Sequence, residues 1–277
     1  MNLSAQEIQQ LKNQANQIRQ DVIKMIFEAK SGHPGGSLGM ADIFTVLYSH
    51  ILKHDPKNPE DPERDRLVLS NGHVCPVLYA SLARSGYFSV EKLLTLRKLG
   101  SGLQGHPHRG WLPGIETTSG PLGSGLSQSV GMSWAGKLDH KNWRVFCLMS
   151  DGEQDEGNTW EGAMLASKYK LDNMVAVIDR NNIQVDGTCD AVMPLDPLKD
   201  KYQAFGWEVI EIDGHDFERI VEAFAKAGET KGKPTLIIAK TVLGKGISFM
   251  ESKVEWHSKV ISKEDLVKAL EELKNAK

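Results

Sequence analysis

Residues 143–157 read Trp143-Arg144-Val145-Phe146-Cys147-Leu148-Met149 and then Ser150-Asp151-Gly152-Glu153-Gln154-Asp155-Glu156-Gly157. The first part is short, apolar and almost unbroken, as expected of a strand covered on both faces. The polar string after it makes a turn, and a helical pattern starts within a few residues. The same grammar recurs along the chain. Further strand candidates lie at 67–69, 173–179, 207–212 and 235–241, and helical patterns at about 157–169, 197–205 and 216–229 separate them. Strands alternating with helices predict an α/β fold with a doubly wound parallel sheet and helices on both faces. The ligand site of such a sheet lies at the carboxyl ends of its strands.

Ahead of this region, residues 4–30 read as an amphipathic helix. Ser4 and Glu7 make a capping box, and Ile8, Leu11, Ala15, Ile18, Val22, Met25 and Ala29 form one apolar stripe. Gly32-His33-Pro34-Gly35 ends it. A second helix is expected at 40–52, and a loop follows with Pro56, Pro59 and Pro62 among charges. A last helix is expected at about 263–275. The economical organisation is a single domain over 1–277, with the first and last helices packed outside.

The chain has 277 residues, 40% of them hydrophobic, with 33 Lys plus Arg against 36 Asp plus Glu for a net charge of −3. This is the composition of an ordinary globular protein. It lacks the clustered basic excess of a nucleic-acid binder. No apolar run is long enough to span a bilayer, and the polar start does not look like a signal peptide. Cys75, Cys147 and Cys189 form neither a disulfide framework nor a zinc spacing, so a cytoplasmic protein is expected. Glycine is locally dense: four of the 26 fall in 32–39 and ten in 100–136. Glycine at that density lets backbone approach backbone, or a ligand.

Asp151 stands where its strand ends and a helix is about to begin. Free amides at a helix start attract phosphate, and a carboxylate beside them can hold a cation that bridges to the same phosphate. Asp179-Arg180-Asn181-Asn182-Ile183 closes the next strand. Asn181 lies 30 residues after Asp151, about the length of one strand–helix–strand unit. The two strand ends should therefore be neighbours, with a side-chain carbonyl from Asn181 and a backbone carbonyl near Ile183.

His50, His54, His140 and His215 stand alone and read as surface residues. His33, His73 and His106 each sit in a Gly or Asn context after an ordered element, and could converge on one polar pocket; His257 is a further candidate. Imidazole can bond phosphate or a sugar hydroxyl and can move a proton near neutral pH. The loop through Gly120 to Leu122 can present backbone groups and one apolar side chain. Gly35-Gly36-Ser37-Leu38-Gly39 matches the hydrolase elbow, but a long helix and a proline precede it where a strand is needed. No phosphate-binding loop of the Walker type is present.

Taken together, S-D-G-E-Q-D-E-G with N-N-I-Q-V-D-G after 30 residues resembles the thiamin-diphosphate-binding motif. With S-G-H-P-G-G-S-L-G, S-N-G-H, G-H-P and T-T-S-G-P-L-G-S-G in order, the chain resembles the N-terminal module of a transketolase over most of residues 20–260. Family members usually carry Gly where Ser150 stands, and His-Gly where His257 is followed by Ser258. The resemblance implies that Asp151, Asn181 and the Ile183 carbonyl bind magnesium or calcium. It implies that His33, His73, Gly152, Glu153 and His257 lie at the diphosphate or neighbouring groups. Gly120 and Leu122 would touch the aminopyrimidine, and Val185 the thiazolium. Glu156 would be the buried acid linking two cofactor sites. His106 would bind the donor's hydroxymethyl end, with His33 and His257 flanking the reacting carbonyl and hydroxyl.

The activity implied is transfer of a two-carbon ketol unit from a ketose to an aldose, with pentose phosphates as the family default. Full-length transketolases are more than twice as long, and their second module carries the glutamate that activates the pyrimidine and the arginines for sugar phosphate. The resemblance therefore implies a split enzyme whose C-terminal subunit is a separate chain, in an α2β2 assembly, with no nucleic-acid or membrane partner. The alternatives are the α subunit of a 2-oxo-acid dehydrogenase component, a deoxyxylulose-phosphate synthase relative, or a non-catalytic cofactor-binding regulatory subunit.

Overall fold

The computed structural model describes residues 3–275; of the expected span 1–277, the first two and last two residues lie outside it. Five strands build the main sheet: β1 (Arg66–Leu69), β2 (Val145–Ser150), β3 (Met174–Arg180), β6 (Glu208–Asp213) and β7 (Thr235–Lys240). Their order is β1-β2-β3-β7-β6, and all neighbours pair in parallel. Two short strands, β4 (Ile183–Gln184) and β5 (Gly187–Thr188), form a separate antiparallel hairpin after β3, and a single helical turn, α7 (Cys189–Val192), follows it.

The strands read as continuous apolar runs because alternate residues serve two cores. On one face Phe146, Leu148, Val175, Val177, Ile237 and Ala239 join the larger core. On the other, Cys147, Met149, Ala176, Ile178, Leu236 and Ile238 join the smaller one. The larger core is covered by α1 (Ala5–Ala29), α3 (Ala41–Val46), α4 (Cys75–Arg84) and α9 (Phe217–Glu229). The smaller is covered by α5 (Ser124–Leu138), α6 (Gly157–Lys168) and α8 (Leu198–Ala204). The doubly wound parallel architecture is thus present, and the strand and helix positions match the sequence periods to within a residue or two.

Several elements differ from expectation. The sequence pattern puts α1 outside, but Ala15, Val22, Ile23, Met25 and Ile26 are fully buried. The cause is that α3 and α4 pack on one side of it, while α10 (Lys263–Asn275) lies across it and contributes only Ala269 and Leu273 to the core. The chain does not simply turn after α1: Pro34–Gly39 forms a short helix, α2, with His33 at its N-cap and Pro34 in its first turn. The expected helix 40–52 divides into α3 and a wider π-type turn, Leu47–Ile51. Two histidines expected on the surface are half-buried. His54 bonds the Tyr87 hydroxyl at 3.0 Å and the Tyr48 carbonyl at 2.9 Å, and His215 bonds Asp42 at 2.7 Å.

Glycine lets α5 approach the sheet. The Gly125 N–H donates to Ser70 Oγ at 3.1 Å, and a Cβ at Gly125 would lie 2.6 Å from Ser70 Cα. Gly131 lies on the open side of the same helix, where a Cβ would meet nothing. Gly125→Ala is therefore expected to cost about 1–3 kcal/mol by overpacking. Gly131→Ala is expected to leave stability unchanged or raise it by up to about 1 kcal/mol. Urea denaturation reads both; equal midpoints for the two variants would contradict the packing described.

Candidate active site

The site begins with sheet register. Parallel pairing sets Ser150 opposite Asp179, so Asp151 and Asn181 leave the sheet side by side. Asp151 is 1% exposed. Its Oδ1 accepts the Gly152 N–H at 2.8 Å, and its Oδ2 accepts the Asn182 N–H at 2.5 Å and the Arg180 guanidinium at 3.3 Å. Asn182 makes this possible with a positive φ of 63°, a conformation asparagine tolerates better than most residues. Asn181 Oδ1 accepts the Ile183 N–H at 2.9 Å, and its Nδ2 donates to Asp179 Oδ2 at 2.9 Å.

These residues open into a cavity of about 320 Å³ at the carboxyl ends of β2 and β3. Of the residues singled out in the sequence, His33, His73, His106, Gly120, Leu122, Asp151, Gly152, Asn181, Ile183, Val185 and His257 all line it. They arrive from seven separate stretches of chain. Val185 extends from the β4–β5 hairpin and is largely exposed at the rim. Gly120 has φ 154°, and a Cβ there would meet nothing, so its backbone faces open space.

Two acidic residues are placed differently. Glu153 does not line the cavity. It is fully buried beneath it, where its carboxylate accepts the Ser70 hydroxyl, the Gly123 N–H at 2.5 Å and the Ser150 N–H at 3.1 Å. It braces the β1, β2 and α5 ends of the site from outside the cavity; burial pushes its pKa up. The resemblance makes Glu156 a buried acid, but in this chain it is exposed at the N-terminus of α6, where its charge suits the helix dipole.

His33, His73 and His257 form a triangle with ring centroids 5.2, 5.6 and 5.4 Å apart. Burial lowers the pKa of all three, and the neighbouring imidazoles add to the effect on His33 and His73. His33 falls to about 4. Partial desolvation, and then the Arg97 charge, lower His106 as well. The four rings are therefore neutral near pH 7, each with one donor and one acceptor nitrogen. His33 Nδ1 is buried with no partner, which costs free energy unless a ligand or water satisfies it. Ser119 Oγ and both amide atoms of Asn71, beside the histidine loops, are also unpartnered.

Asp179, Gln184, Asp186, Leu243 and Gly36 also line the cavity, although the sequence pattern does not single them out. Asp179 carries a signal: a carboxylate closes an otherwise apolar strand. Burial, and then the adjacent Asp151, raise its pKa to about 7. Leu243 carries none, because nothing local shows that the segment after β7 folds back over α2.

The donor set suits a hard divalent cation. Asp151, Asn181 and the Ile183 carbonyl are oxygen donors on one wall. Among the described residues no group of three His, Cys, Asp or Glu side chains is arranged to hold a metal. The cavity lining includes three carboxylates and no Lys or Arg. Ser37, whose match to the hydrolase elbow the sequence context rejects, is fully buried on α2 and donates to the His33 carbonyl at 2.8 Å.

Comparison with known proteins agrees with this geometry. The family model described as "Transketolase, thiamine diphosphate binding domain" matches residues 10–274. The chain is 44% identical over 271 residues to the 6-deoxy-6-sulfo-D-fructose transketolase subunit SqwG of Clostridium sp. (strain MSTE9), covering 98% of each protein. It is 41% identical over 267 residues to an apulose-4-phosphate transketolase subunit of Phocaeicola vulgatus, covering 96% of this chain and 95% of that one. Against the solved transketolase of Campylobacter jejuni the TM-score is 0.90 at 38% identity, over 99% of this chain but 43% of the other.

The histidine cluster makes a pH prediction. The usual His33 pKa of 6.5 falls to about 4 on folding. Between these values the unfolded chain holds a proton that the folded chain does not, so stability drops as pH falls from about 6.5 towards 4. Above that window the ring contributes no pH dependence. His33→Gln is expected to flatten this acid limb when urea midpoints are measured from pH 4.5 to 7.5. An unchanged slope would contradict the burial of a neutral His33.

Proposed function

The chain belongs to the transketolase family, and from that premise we propose that it is the diphosphate-binding subunit of a two-chain transketolase. It moves a two-carbon ketol unit from a ketose or ketose phosphate to an aldose, using thiamin diphosphate and a divalent metal, and works only with a separate C-terminal subunit. One observation supports the reading: the residues proposed for cofactor and metal line one cavity in a chain that aligns along nearly its whole length with proteins named as transketolase subunits.

Asp151, Asn181 and the Ile183 carbonyl would hold magnesium or calcium. His33, His73, His257 and the Gly152 backbone would meet the diphosphate and the groups next to it. Gly120, Leu122 and Val185 would receive the two rings. Bound there, thiamin diphosphate supplies a nucleophilic carbon and an electron sink. The protein's part is position and proton movement. Neutral His33 and His257 can each accept a proton on one nitrogen while donating from the other, which suits a carbonyl-to-hydroxyl change and its reverse. His106, exposed at the mouth, would bind the donor's hydroxymethyl end.

The carboxylates lining the cavity, Asp151, Asp179 and Asp186, all come from the ends of β2 and β3 and the hairpin after β3, and the glutamate that the family uses on the pyrimidine would come from a partner chain. The exposed sides of α5 and α6 carry Trp134, Leu138, Met164 and Leu165. On α5 no charged residue occurs before Lys137. A helix apolar on its open face suits coverage by another chain. Glu156 starts α6 on this side, so assembly into α2β2 would bury it near its counterpart. Two of the relatives carry anionic sugars in their names, a sulfofructose and apulose 4-phosphate, and a sugar phosphate, with pentose phosphates as the family default, is proposed here. Among the described residues no helix is long and apolar enough to cross a membrane. The three free cysteines are buried, which fits the reducing cytoplasm proposed for the enzyme. Among the named relatives nothing favours an oxo-acid dehydrogenase, a deoxyxylulose-phosphate synthase or a regulatory subunit.

Co-expression with an adjacent reading frame resembling the rest of transketolase tests this. Ketol transfer from xylulose 5-phosphate is expected from the pair and from neither chain alone. Asp151→Ala in the pair is expected to lower activity at least about 100-fold. Activity in the lone chain, or in the pair with pyruvate but not with a ketose, would overturn the proposal.

A further inference from the structure

A polar network outside the cavity joins the two walls that carry His33 and His257. His215 follows β6, in the sequence Asp213-Gly214-His215-Asp216. Its Nδ1 lies 2.7 Å from Asp42 Oδ2, and its Nε2 accepts the Val242 backbone N–H at 2.9 Å. The backbone amide can only donate, so Nε2 carries no proton and Nδ1 must donate to Asp42. Asp42 is 4% exposed and also accepts Arg19 Nη2 at 2.6 Å. Arg19 in turn donates from Nε to the Leu38 carbonyl at 3.1 Å. One chain of hydrogen bonds thus runs from the segment after β7, through β6 and α3, to α1 and α2.

Both ends of this chain reach the site. Leu38 lies in α2, the helix whose N-cap is His33. Val242 sits between Thr241, whose hydroxyl bonds Asp179, and Leu243, which lines the cavity. The segment continues to His257. Its fit against α2 leaves no slack. The Gly244 N–H donates to the Gly35 carbonyl at 2.9 Å. A Cβ at Gly35 would lie 2.8 Å from the Trp256 carbonyl, and one at Gly39 would lie 2.9 Å from the Val242 carbonyl. The Gly244–Gly35 bond pins the segment to α2 at one point, and the Val242–His215 bond pins it again two residues earlier, where the chain leaves β7.

We propose that His215 is a positioning residue of this enzyme: in its Nδ1–H tautomer, anchored by Asp42, it fixes Val242 and so holds the Leu243–His257 segment in register with the helix that presents His33. Asp42 is fit for the anchor. Burial would raise its pKa, but the Arg19 charge and the bonds from His215 and Arg19 prevail and keep it below the ordinary carboxylate range. A carboxylate held ionised orients the imidazole and fixes its tautomer. The role in catalysis rests on the transketolase reading; the tautomer and the bond to Val242 do not.

The test therefore has two arms. In the full chain, long-range proton–nitrogen NMR at pH 7 is expected to show His215 protonated at Nδ1 and bare at Nε2, and the Val242 amide is expected to exchange slowly. A bare Nδ1 or a rapidly exchanging Val242 amide would overturn the proposal whatever reaction the enzyme catalyses. In the assembled enzyme, His215→Ala is expected to lower kcat by roughly 10- to 100-fold with a smaller change in the ketose KM. His215→Gln, with one donor and one acceptor, is expected to recover part of kcat. Should kcat of the alanine variant match wild type, or recover fully on cooling to where both are completely folded, His215 is structural only and the proposal fails. Should the wild-type pair transfer no ketol unit while the NMR arm holds, it is the transketolase reading that fails.

Discussion

The parallel pairing of β2 with β3 is the constraint on which the site depends. With Ser150 opposite Asp179, β2 ends one residue short of the end of β3, and the next residues of each are forced into one small space. A one-residue slip would turn every side chain of a strand to the other face. Here it would exchange Phe146 and Leu148 for Cys147 and Met149 between two differently shaped cores. The packing of both faces therefore fixes the register, and the register fixes the spacing between Asp151 and Asn181. The larger core stabilises the site even though its β2 and β3 side chains, Phe146, Leu148, Val175 and Val177, do not line the cavity.

The polar side follows from burial. Asp151, Glu153 and Asp179 are each about 1% exposed or less. Carboxylates so placed need partners. Glu153 finds all of its own within the protein, in two backbone amides and a hydroxyl. Asp151 and Asp179 stand together, and the burial and mutual repulsion that lift Asp179 are what a divalent cation would relieve. The histidines show the same physics with opposite sign, since burial removes their charge. The cavity thus combines buried acids with neutral imidazoles, which is the combination that the proposed function calls for.

Much of this is legible in the sequence because it depends on short-range pattern. The strands read as apolar runs, Asp151 and Asn181 read as strand ends one crossover apart, and three glycine-flanked histidines read as loop residues able to converge. What is not legible depends on contacts between distant segments. Leu243 and the wrapping of the 241–257 segment over α2 are set by glycines at 35 and 39 that admit backbone, and nothing near residue 243 records it. His215 looks like a lone surface histidine because its partners, Asp42 and Val242, are 173 and 27 residues away. Glu153 looks like a ligand residue because it shares a turn with Asp151; a 3₁₀ turn over Gly152–Asp155 points it inward. The depth of α1 is hidden for a similar reason, since a single stripe does not tell how many neighbours will cover it.

The chain spans nearly all of the transketolase subunits it resembles. In the proposed function its cavity is the diphosphate-and-metal half of a site that a second chain completes. The most direct measurement of that claim is a calorimetric titration of thiamin diphosphate into the chain paired with its C-terminal subunit, with and without magnesium. The account predicts saturable binding that requires the metal and is lost in Asn181→Ala. Binding of equal strength in the presence of a chelator, or binding unaffected by that substitution, would contradict it.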